Sequence, residues 1–179
     1  MSHAVVADDR EEIVVSTSAG ATHNLAASLA HLALRGDLIC LWGELGAGKT
    51  VFAKGFGAGL GIRDTISSPT FVLMAEYAGR LPLFHIDLYR LAGAEDALAG
   101  GLLDERQAAG VTLLEWPDRL GDALPAERLD VRLDGFAAEE RRITVSAVGP
   151  SLGRFVAAAR TWDADSRRPR QPMSTRVER

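Results

Sequence analysis

The sequence predicts an α/β fold in which a mostly parallel sheet is flanked by helices and carries an antiparallel pair of strands at one edge. Three observations indicate this fold. Short continuous apolar runs, typical of strands that are buried on both faces of a parallel sheet, alternate with segments of helical character. A glycine-rich loop separates one such run from a helical segment. Two later segments alternate apolar and polar residues, as antiparallel strands with one solvated face do.

Composition indicates one globular domain. The chain has 179 residues, enough for one hydrophobic core but too few for two full domains. Hydrophobic residues make up 47% and charged residues 25%, which is ordinary for a soluble protein. No apolar run reaches the roughly 18 residues that span a bilayer, and the polar N-terminus does not resemble a signal peptide. We therefore predict a cytoplasmic protein with a flexible leader at 1–10, a single domain at 11–162 and a disordered Arg-rich tail at 163–179.

Charge is distributed unevenly along the chain. Residues 1–150 carry 13 Lys/Arg against 21 Asp/Glu, net −8, whereas residues 151–179 carry 7 against 3, net +4. An acidic body lacks the basic surface that tight nucleic-acid binding needs. The tail could contact RNA or an acidic partner, but its lack of apolar residues favours a solvated terminus. The single cysteine, Cys40, lies in an apolar run, so a disulfide framework and a Cys-based metal site are excluded.

The first elements lead to the glycine loop. A run rich in β-branched residues at 12–16 predicts a strand, and Thr22 is a suitable N-cap for a helix that ends at Arg35. After a turn, the continuous apolar run at 37–42 predicts a buried strand. Helical character resumes at 50–60, so strand, glycine loop and helix follow each other in the order that a phosphate site needs.

The later elements complete the predicted sheet. The two alternating segments near the end are expected to pair as the antiparallel strands at its edge. The predicted elements are strands at 71–77, 83–87 and 111–115, a helix at 94–108, and the paired strands at 128–134 and 141–147.

The glycine loop carries the most specific signal. Residues 43–50, GELGAGKT, fit the pattern G-x-x-x-x-G-K-[ST], in which Gly43, Gly46 and Gly48 let backbone N–H groups surround a phosphate. Lys49 is expected to reach the β and γ phosphates, and the Thr50 hydroxyl to bind Mg²⁺. A compact ammonium on a flexible stem suits that point contact better than a planar guanidinium does. The fold is therefore predicted to be of the P-loop NTPase type.

Two predicted strands end in an acidic residue. Asp87 and Glu115 follow the apolar runs at 83–87 and 111–115, and the carboxyl ends of parallel strands are where ligands bind in open α/β sheets. One carboxylate can hold Mg²⁺ while the other orients or deprotonates a water molecule. His85 shares a strand face with Asp87 and is interpreted as a core or supporting histidine. Trp116 has either a role at the start of a helix or a role in the site or an interface.

A short Ser/Pro segment precedes the strand at 71–77. Ser67, Ser68, Pro69 and Thr70 occupy the place where nucleotide-sensing loops of P-loop proteins put a hydroxyl near the γ-phosphate. An ordinary turn explains the same four residues, so the segment alone does not decide between the two.

Four motifs together resemble one family. GELGAGKT, SPTF, HIDLYRL and LLEWPDRL, in this order and at this spacing, are similar to the bacterial TsaE (YjeE) family, the small ATPase of the threonylcarbamoyladenosine tRNA-modification machinery. The likeness extends from about Ala21 to about Pro125, and the Arg-rich tail beyond residue 150 lies outside it.

The resemblance implies a set of roles. Mg²⁺ would be held by Thr50 and Glu115, Asp87 would serve hydrolysis or nucleotide sensing, and Ser68 and Thr70 would belong to a switch loop. Residues 19–22 would approach the adenine. The partners would be a two-protein threonylcarbamoyl transferase of the TsaB and TsaD type, which ATP turnover resets, and tRNA would be involved only through them. ATP itself would be bound by Gly46, Ala47, Gly48, Lys49, Thr50 and Val51.

Three other nucleotide-dependent functions are weighed against this one, and the sequence leaves one of them open, a binding module that hardly hydrolyses ATP, because a sequence does not fix a rate. A small-molecule or nucleoside kinase shares the loop, but it needs lid arginines and an acceptor pocket. Only Arg141 and Arg142 suggest such a lid, and they lie at the predicted start of an edge strand. A GTP switch is disfavoured because no N-K-x-D motif for guanine recognition occurs. We predict a slow ATPase.

Overall fold

Seven strands form one sheet in the computed structural model of the protein, which describes residues 10–69, 73–91, 108–135 and 140–166. In chain order the strands are β1 (Glu11–Ser16), β2 (Leu38–Trp42), β3 (Met74–Tyr77), β4 (Leu83–Asp87), β5 (Val111–Glu115), β6 (Arg128–Gly135) and β7 (Arg141–Val148). The helices are α1 (Ala19–Ala30), α2 (Lys49–Gly59) and α3 (Gly153–Ser166), and a 3-10 helix spans Pro117–Ala123.

The sheet is parallel in its centre and antiparallel at both sides. Its strand order is β1-β7-β6-β2-β5-β4-β3. β6, β2, β5 and β4 are parallel neighbours, whereas β3, β7 and β1 each pair antiparallel. The predicted fold class is therefore confirmed. The order also places the carboxyl end of β2, and the glycine loop that follows it, between the ends of β6 and β5.

The side of the sheet that contains β6, β7 and β1 differs from the prediction at its edge. β6 and β7 do pair antiparallel, but β6 also pairs with β2, and β1 lies outside β7. β1 is thus the edge strand. Its sequence suits that place, because charged Glu11 and Glu12 discourage pairing with another chain. β7 instead buries Ile143 and Val145 in the core.

Helix α1 also differs from the prediction at both ends. Ser18, not Thr22, is the N-cap, and its hydroxyl accepts a hydrogen bond from Ala21 N at 3.1 Å. Thr22 lies inside the helix, where its hydroxyl bonds the buried Ser16 hydroxyl at 2.7 Å. The helix ends at Ala30, whose carbonyl accepts a hydrogen bond from the Arg80 guanidinium at 2.9 Å, and Leu32 and Leu34 beyond it are exposed.

Core residues lie on both faces of the sheet. The larger cluster unites the sheet with all three helices and includes the fully buried Phe52, Phe56 and Phe155. The smaller cluster includes Cys40 and Leu120 and brings the 3-10 helix against the other face. Burial raises the pKa of the Cys40 thiol far above its ordinary value, which fits a structural cysteine.

β4 and β5 lie at the predicted residues and α2 is shifted by one, but the strand predicted at 71–77 begins only at Met74, because Leu73 before it has a left-handed φ of 65°; residues 71 and 72 lie outside the described residues. α3 continues to Ser166, past residue 163, where the sequence predicts a tail to begin. Residues 1–9 of the predicted leader, most of the predicted helix at 94–108, and the tail from 167 lie outside the described residues. None of the helices in the described ranges is long and apolar enough to cross a membrane.

Candidate active site

The loop between β2 and α2 is packed closely against β6. At Gly43 the backbone φ is 141°, and a Cβ there would lie 2.5 Å from the Leu133 carbonyl oxygen and 3.0 Å from the Ala47 Cβ. No larger residue fits without moving the loop. Gly48, with φ 110°, caps α2 without any side-chain hydrogen bond to its first amides. The N–H groups of the first turn therefore point into the loop with no intrahelical partner, as an anion site requires.

Lys49 lies at the centre of this loop. Its side chain is 6% exposed, and its ammonium donates to the carbonyl oxygens of Gly43 at 2.6 Å and Glu44 at 3.0 Å. The Trp116 ring centroid lies 4.1 Å from the same nitrogen. Burial lowers the pKa of Lys49 below its ordinary value, and the carboxylates of Glu115 and Asp87 partly oppose that shift. The ammonium thus lies within the electrostatic field of both predicted acids.

Asp87 and Glu115 lie side by side. The register of β4 and β5 pairs the two residues directly, and both are 3% exposed. Asp87 Oδ1 accepts a hydrogen bond from Tyr89 N at 2.9 Å, and Oδ2 accepts one from the Ser68 hydroxyl. The Ser/Pro segment thus brings one of its hydroxyls to the end of β4. Thr70, the other hydroxyl predicted for this loop, lies outside the described residues.

The Glu115 carboxylate is held by His85. His85 is fully buried, and its Nε2 lies 2.9 Å from Glu115 Oε1. A carboxylate can only accept, so Nε2 carries the proton of this hydrogen bond. Nδ1 has no hydrogen-bond partner within the described parts of the chain. The bond fixes one carboxylate oxygen and orients the other, which is the arrangement found around metal-binding carboxylates. His85 is thus buried and hydrogen-bonded to Glu115, and both interpretations from the sequence, a core histidine and a supporting histidine, stay open.

Trp116 joins the site through an unusual backbone conformation. It has φ 59° and ψ 52°, a left-handed conformation uncommon for a bulky residue, and it is the N-cap of the 3-10 helix. Its ring lies against Lys49, and its centroid is 4.9 Å from that of Tyr89. Both alternatives left open by the sequence therefore hold, since the residue begins a helix and also contributes to the site.

Two cavities border the loop. One has a volume of about 490 Å³ and lies at the ends of β4 and β5; we call it the β4–β5 cavity. It is lined by Leu45, Gly46, Gly48, Lys49, Thr50, Val51, Ser68, Asp87, Tyr89, Arg90, Glu115 and Trp116. The other, of about 420 Å³, lies at the start of α1; we call it the α1 cavity. It is lined by Ser18, Ala19, Gly20, Thr22, Gly46, Gly48, Val51 and Arg141. Gly46, Gly48 and Val51 line both cavities, so the two cavities are neighbours.

Arg141 begins β7, as the sequence predicts, and it also lines the α1 cavity, which the sequence did not predict. Its Nε donates to the Ala47 carbonyl of the glycine loop at 3.0 Å. The sequence predicts Arg141 at the start of an edge strand and weighs it only as a lid residue of the disfavoured kinase. Its place in the cavity follows from strand pairing that local patterns do not reveal: β7 is the antiparallel partner of a strand parallel to β2, so it begins at the edge of the sheet where β2 ends.

The oxygen donors of the β4–β5 cavity fit a magnesium ion. Mg²⁺ prefers oxygen ligands and usually keeps several waters, binding through one or two protein groups and substrate phosphates. The Thr50 hydroxyl and the Glu115 carboxylate both line this cavity. No group of three or more His, Cys, Asp or Glu side chains that could hold a metal occurs in the described ranges.

Sequence comparison identifies related proteins. The family model described as "Threonylcarbamoyl adenosine biosynthesis protein TsaE" matches residues 16–143. The tRNA threonylcarbamoyladenosine biosynthesis protein TsaE of Bacillus subtilis is 43% identical over 129 residues, which cover 72% of this chain and 80% of the relative. The protein of the same name from Treponema pallidum is 42% identical over 132 residues, covering 74% of this chain and 98% of the relative.

The fold has a solved counterpart. The crystal structure of Bacillus subtilis YdiB superimposes with a TM-score of 0.68 at 34% sequence identity. The match covers 88% of this chain and 97% of that structure.

Proposed function

The chain belongs to the TsaE family of tRNA threonylcarbamoyladenosine biosynthesis, and on that premise we propose that it binds and slowly hydrolyses Mg-ATP. One observation supports this proposal above the others. A buried ammonium on a P-loop faces two buried carboxylates that end neighbouring parallel strands, and all three line one cavity. Phosphoryl transfer needs positioning and charge stabilisation of this kind, with little covalent chemistry from the protein.

Lys49 and the first turn of α2 would bind the phosphates. The Lys49 ammonium now donates to two loop carbonyls, so its hydrogen bonds are ready to be exchanged for phosphate oxygens. Thr50 and Glu115 would hold Mg²⁺, with His85 fixing the Glu115 carboxylate. When bound, Mg²⁺ would neutralise developing charge on the β and γ phosphates.

Asp87 would act on the attacking water. Its Oδ1 accepts from a backbone amide and its Oδ2 from Ser68, so the carboxylate has a fixed orientation. A carboxylate held in this way can orient a water molecule for in-line attack or accept its proton. Ser68 would couple the state of the nucleotide to the segment that precedes β3. Ser68 belongs to that segment, and its hydroxyl donates a hydrogen bond to Asp87.

The α1 cavity would take the nucleoside. It adjoins the glycine loop on the side away from Asp87 and Glu115, and small residues, Ala19 and Gly20, leave space at its wall. Gly46 and Gly48 of the loop and Val51 of α2 line both cavities, so one extended ligand can occupy both. We therefore propose ATP, with its base beside α1 and its phosphates beside Lys49.

The proposed partners are the two proteins of a threonylcarbamoyl transferase of the TsaB and TsaD type. Relatives of this chain are named for tRNA threonylcarbamoyladenosine biosynthesis. The β4–β5 cavity has groups for triphosphate chemistry, and the net charge of −8 over residues 1–150 disfavours direct binding of tRNA. ATP turnover by this chain would therefore serve the transferase, and contact with tRNA would be indirect.

Release of inorganic phosphate from ATP tests the proposal. We expect slow release by the isolated chain, faster release when both partner proteins are added, and none with Lys49→Ala. Phosphate transfer to a nucleoside or sugar would instead support a kinase. Bound ATP that stays intact with and without the partners would contradict hydrolysis. A calorimetric titration of ATP against GTP would measure the base preference.

A further inference from the structure

Arg90 lines the β4–β5 cavity together with the groups assigned to phosphate and water, and we propose that its guanidinium stabilises the charge that develops on the γ-phosphate during hydrolysis. The inference rests on the proposed function, because it adds a residue to the ATPase site. It goes beyond that function, which gives Arg90 no role.

A tight turn directly after β4 holds Arg90 at the cavity. Tyr89 N donates to Asp87 Oδ1 at 2.9 Å. Leu91 N donates to the Leu88 carbonyl at 3.0 Å and closes the turn. The Leu88 side chain is fully buried, and Leu91 packs against the smaller core cluster. Leucines on both sides therefore anchor the turn, whereas Arg90 between them is exposed and lines the cavity.

The charges of the cavity favour a role for a second cation. Among the lining residues that the structure describes, the cationic side chains are Lys49 and Arg90, and the anionic ones are Asp87 and Glu115. These four charges balance, and without Arg90 they would leave a net charge of −1 facing a triphosphate. In phosphoryl transfer, an arginine supplied by the same chain or by a partner stabilises the charge on the transferring group.

A guanidinium suits this task because its donors are arranged as a planar fork. It can donate two parallel hydrogen bonds to phosphate oxygens, whereas the Lys49 ammonium acts as a point charge. Arg90 already has an interaction partner in the ligand-free protein, as Lys49 does. A guanidinium has five N–H donors, and oxygens with growing negative charge compete well for them. The contact is therefore strongest in the transition state, and its loss should lower kcat more than it weakens ATP binding.

Arg90 acts in this step only as a hydrogen-bond donor. The water oxygen forms a bond to the γ-phosphorus, the bond from that phosphorus to the β–γ bridging oxygen breaks, and its electron pair leaves with ADP. One proton of the water passes to Asp87 and then to solvent. Arg90 neither gains nor loses a proton, since a guanidinium stays protonated in proteins.

Phosphate release and calorimetry together test the assignment. We would measure kcat for ATP hydrolysis and the Kd of Mg-ATP for the wild type, Arg90→Ala and Arg90→Lys. We expect Arg90→Ala to lower kcat about 100-fold while the Kd changes less than about threefold. Arg90→Lys keeps the charge but not the fork, so it should lose about tenfold in kcat.

Free guanidinium ion separates a direct contact from a structural role. Added to Arg90→Ala, it should restore part of the lost rate, because it supplies the missing donors at the same place. Arg63→Ala is the matched control, since Arg63 carries the same charge, is exposed and lines neither cavity. Its kcat and Kd should equal those of the wild type. If Arg90→Ala does not fold by circular dichroism, Arg90→Lys decides the question.

Three results would overturn the assignment. A wild-type kcat in Arg90→Ala would mean that Arg90 stabilises no developing charge. A weaker Kd with unchanged kcat would mean that it only binds the ground state. A lower kcat that neither guanidinium ion nor Arg90→Lys restores in any part would mean that it only maintains the turn. A wild type that binds ATP and releases no phosphate is a different result, since it would refute the proposed function itself.

Discussion

The β4–β5 cavity and the α1 cavity border the same loop but are built from different kinds of residue. Buried charged groups line the first, and Lys49, Asp87 and Glu115 are each 6% exposed or less. Small residues and the half-buried Arg141 line the second. Charged groups held in place act strongly on a developing charge, whereas shape and stacking act weakly. Substitutions should therefore have large effects on the first side and small effects on the second.

Lys49→Ala should have the largest effect of the changes considered. It removes the ammonium that offsets Asp87 and Glu115, so the phosphates would meet two carboxylates without a cation between them. Charge-assisted hydrogen bonds contribute about 1.5–3 kcal/mol each, so we expect ATP binding to weaken at least about 100-fold. Calorimetric titration measures the loss. Lys54→Ala, on the exposed face of α2, is the control and should bind normally. Near-normal binding by Lys49→Ala would disprove the assignment of the loop.

Asp87→Asn should separate binding from turnover. The amide keeps the size of the side chain and an oxygen for the Tyr89 amide, but it cannot accept a proton from water. We expect kcat to fall about 100-fold while the Kd for ATP changes less than about threefold. Phosphate release and calorimetry measure the two quantities. Asp64→Asn, at an exposed position, should leave both unchanged. Normal turnover by Asp87→Asn would remove Asp87 from the catalytic groups.

His85→Ala should weaken the response to Mg²⁺. Without the hydrogen bond at 2.9 Å, the Glu115 carboxylate loses the group that orients it, and supporting groups of this kind change metal affinity about 10-fold to 100-fold. We expect the Mg²⁺ concentration for half-maximal nucleotide binding to rise about tenfold. Glu115→Gln should raise it at least as much. His85→Gln, whose amide can replace Nε2–H, should restore part of the response. An unchanged Mg²⁺ titration for His85→Ala would show that the histidine only packs the core.

Ser18→Ala should have the smallest effect, and that effect should be on stability. Ser18 lines the α1 cavity but uses its hydroxyl to cap α1, so its loss should lower the free energy of unfolding by about 1 kcal/mol. ATP affinity should change less than about twofold. Denaturant unfolding and calorimetry test the two statements. Ser28→Ala is the control, because the Ser28 hydroxyl donates to the Leu25 carbonyl within the helix and caps nothing. A large loss of ATP affinity in Ser18→Ala would mean that the α1 cavity recognises the ligand through its hydroxyls.

The two cavities also differ in how much of each could be predicted from the sequence. β4, β5 and the glycine loop are contiguous runs with strong local patterns, and each ends in the group that it contributes to the site. The hydrogen bond between His85 and Glu115 could not be predicted from the sequence, because it depends on the register between β4 and β5. Arg141 could not be assigned, because its place depends on the order β7-β6-β2, which pairing of distant segments decides.

Helix α1 shows a second limit of local patterns. Ser18 and Thr22 are both suitable N-caps by residue type. The structure uses Ser18, because the Thr22 hydroxyl bonds the buried Ser16 hydroxyl of β1. At the end of the helix, Arg80 from a distant turn donates to the Ala30 carbonyl. At both boundaries the structure thus has a tertiary contact that local patterns do not reveal.

A crystal structure with Mg²⁺ and a non-hydrolysable ATP analogue is the most direct test of the central claim that both cavities hold one nucleotide. The account predicts the γ-phosphate within hydrogen-bond distance of Lys49 Nζ, Mg²⁺ bound by Thr50 and Glu115, and the base in the α1 cavity. A nucleotide bound elsewhere, with the glycine loop empty, would contradict it.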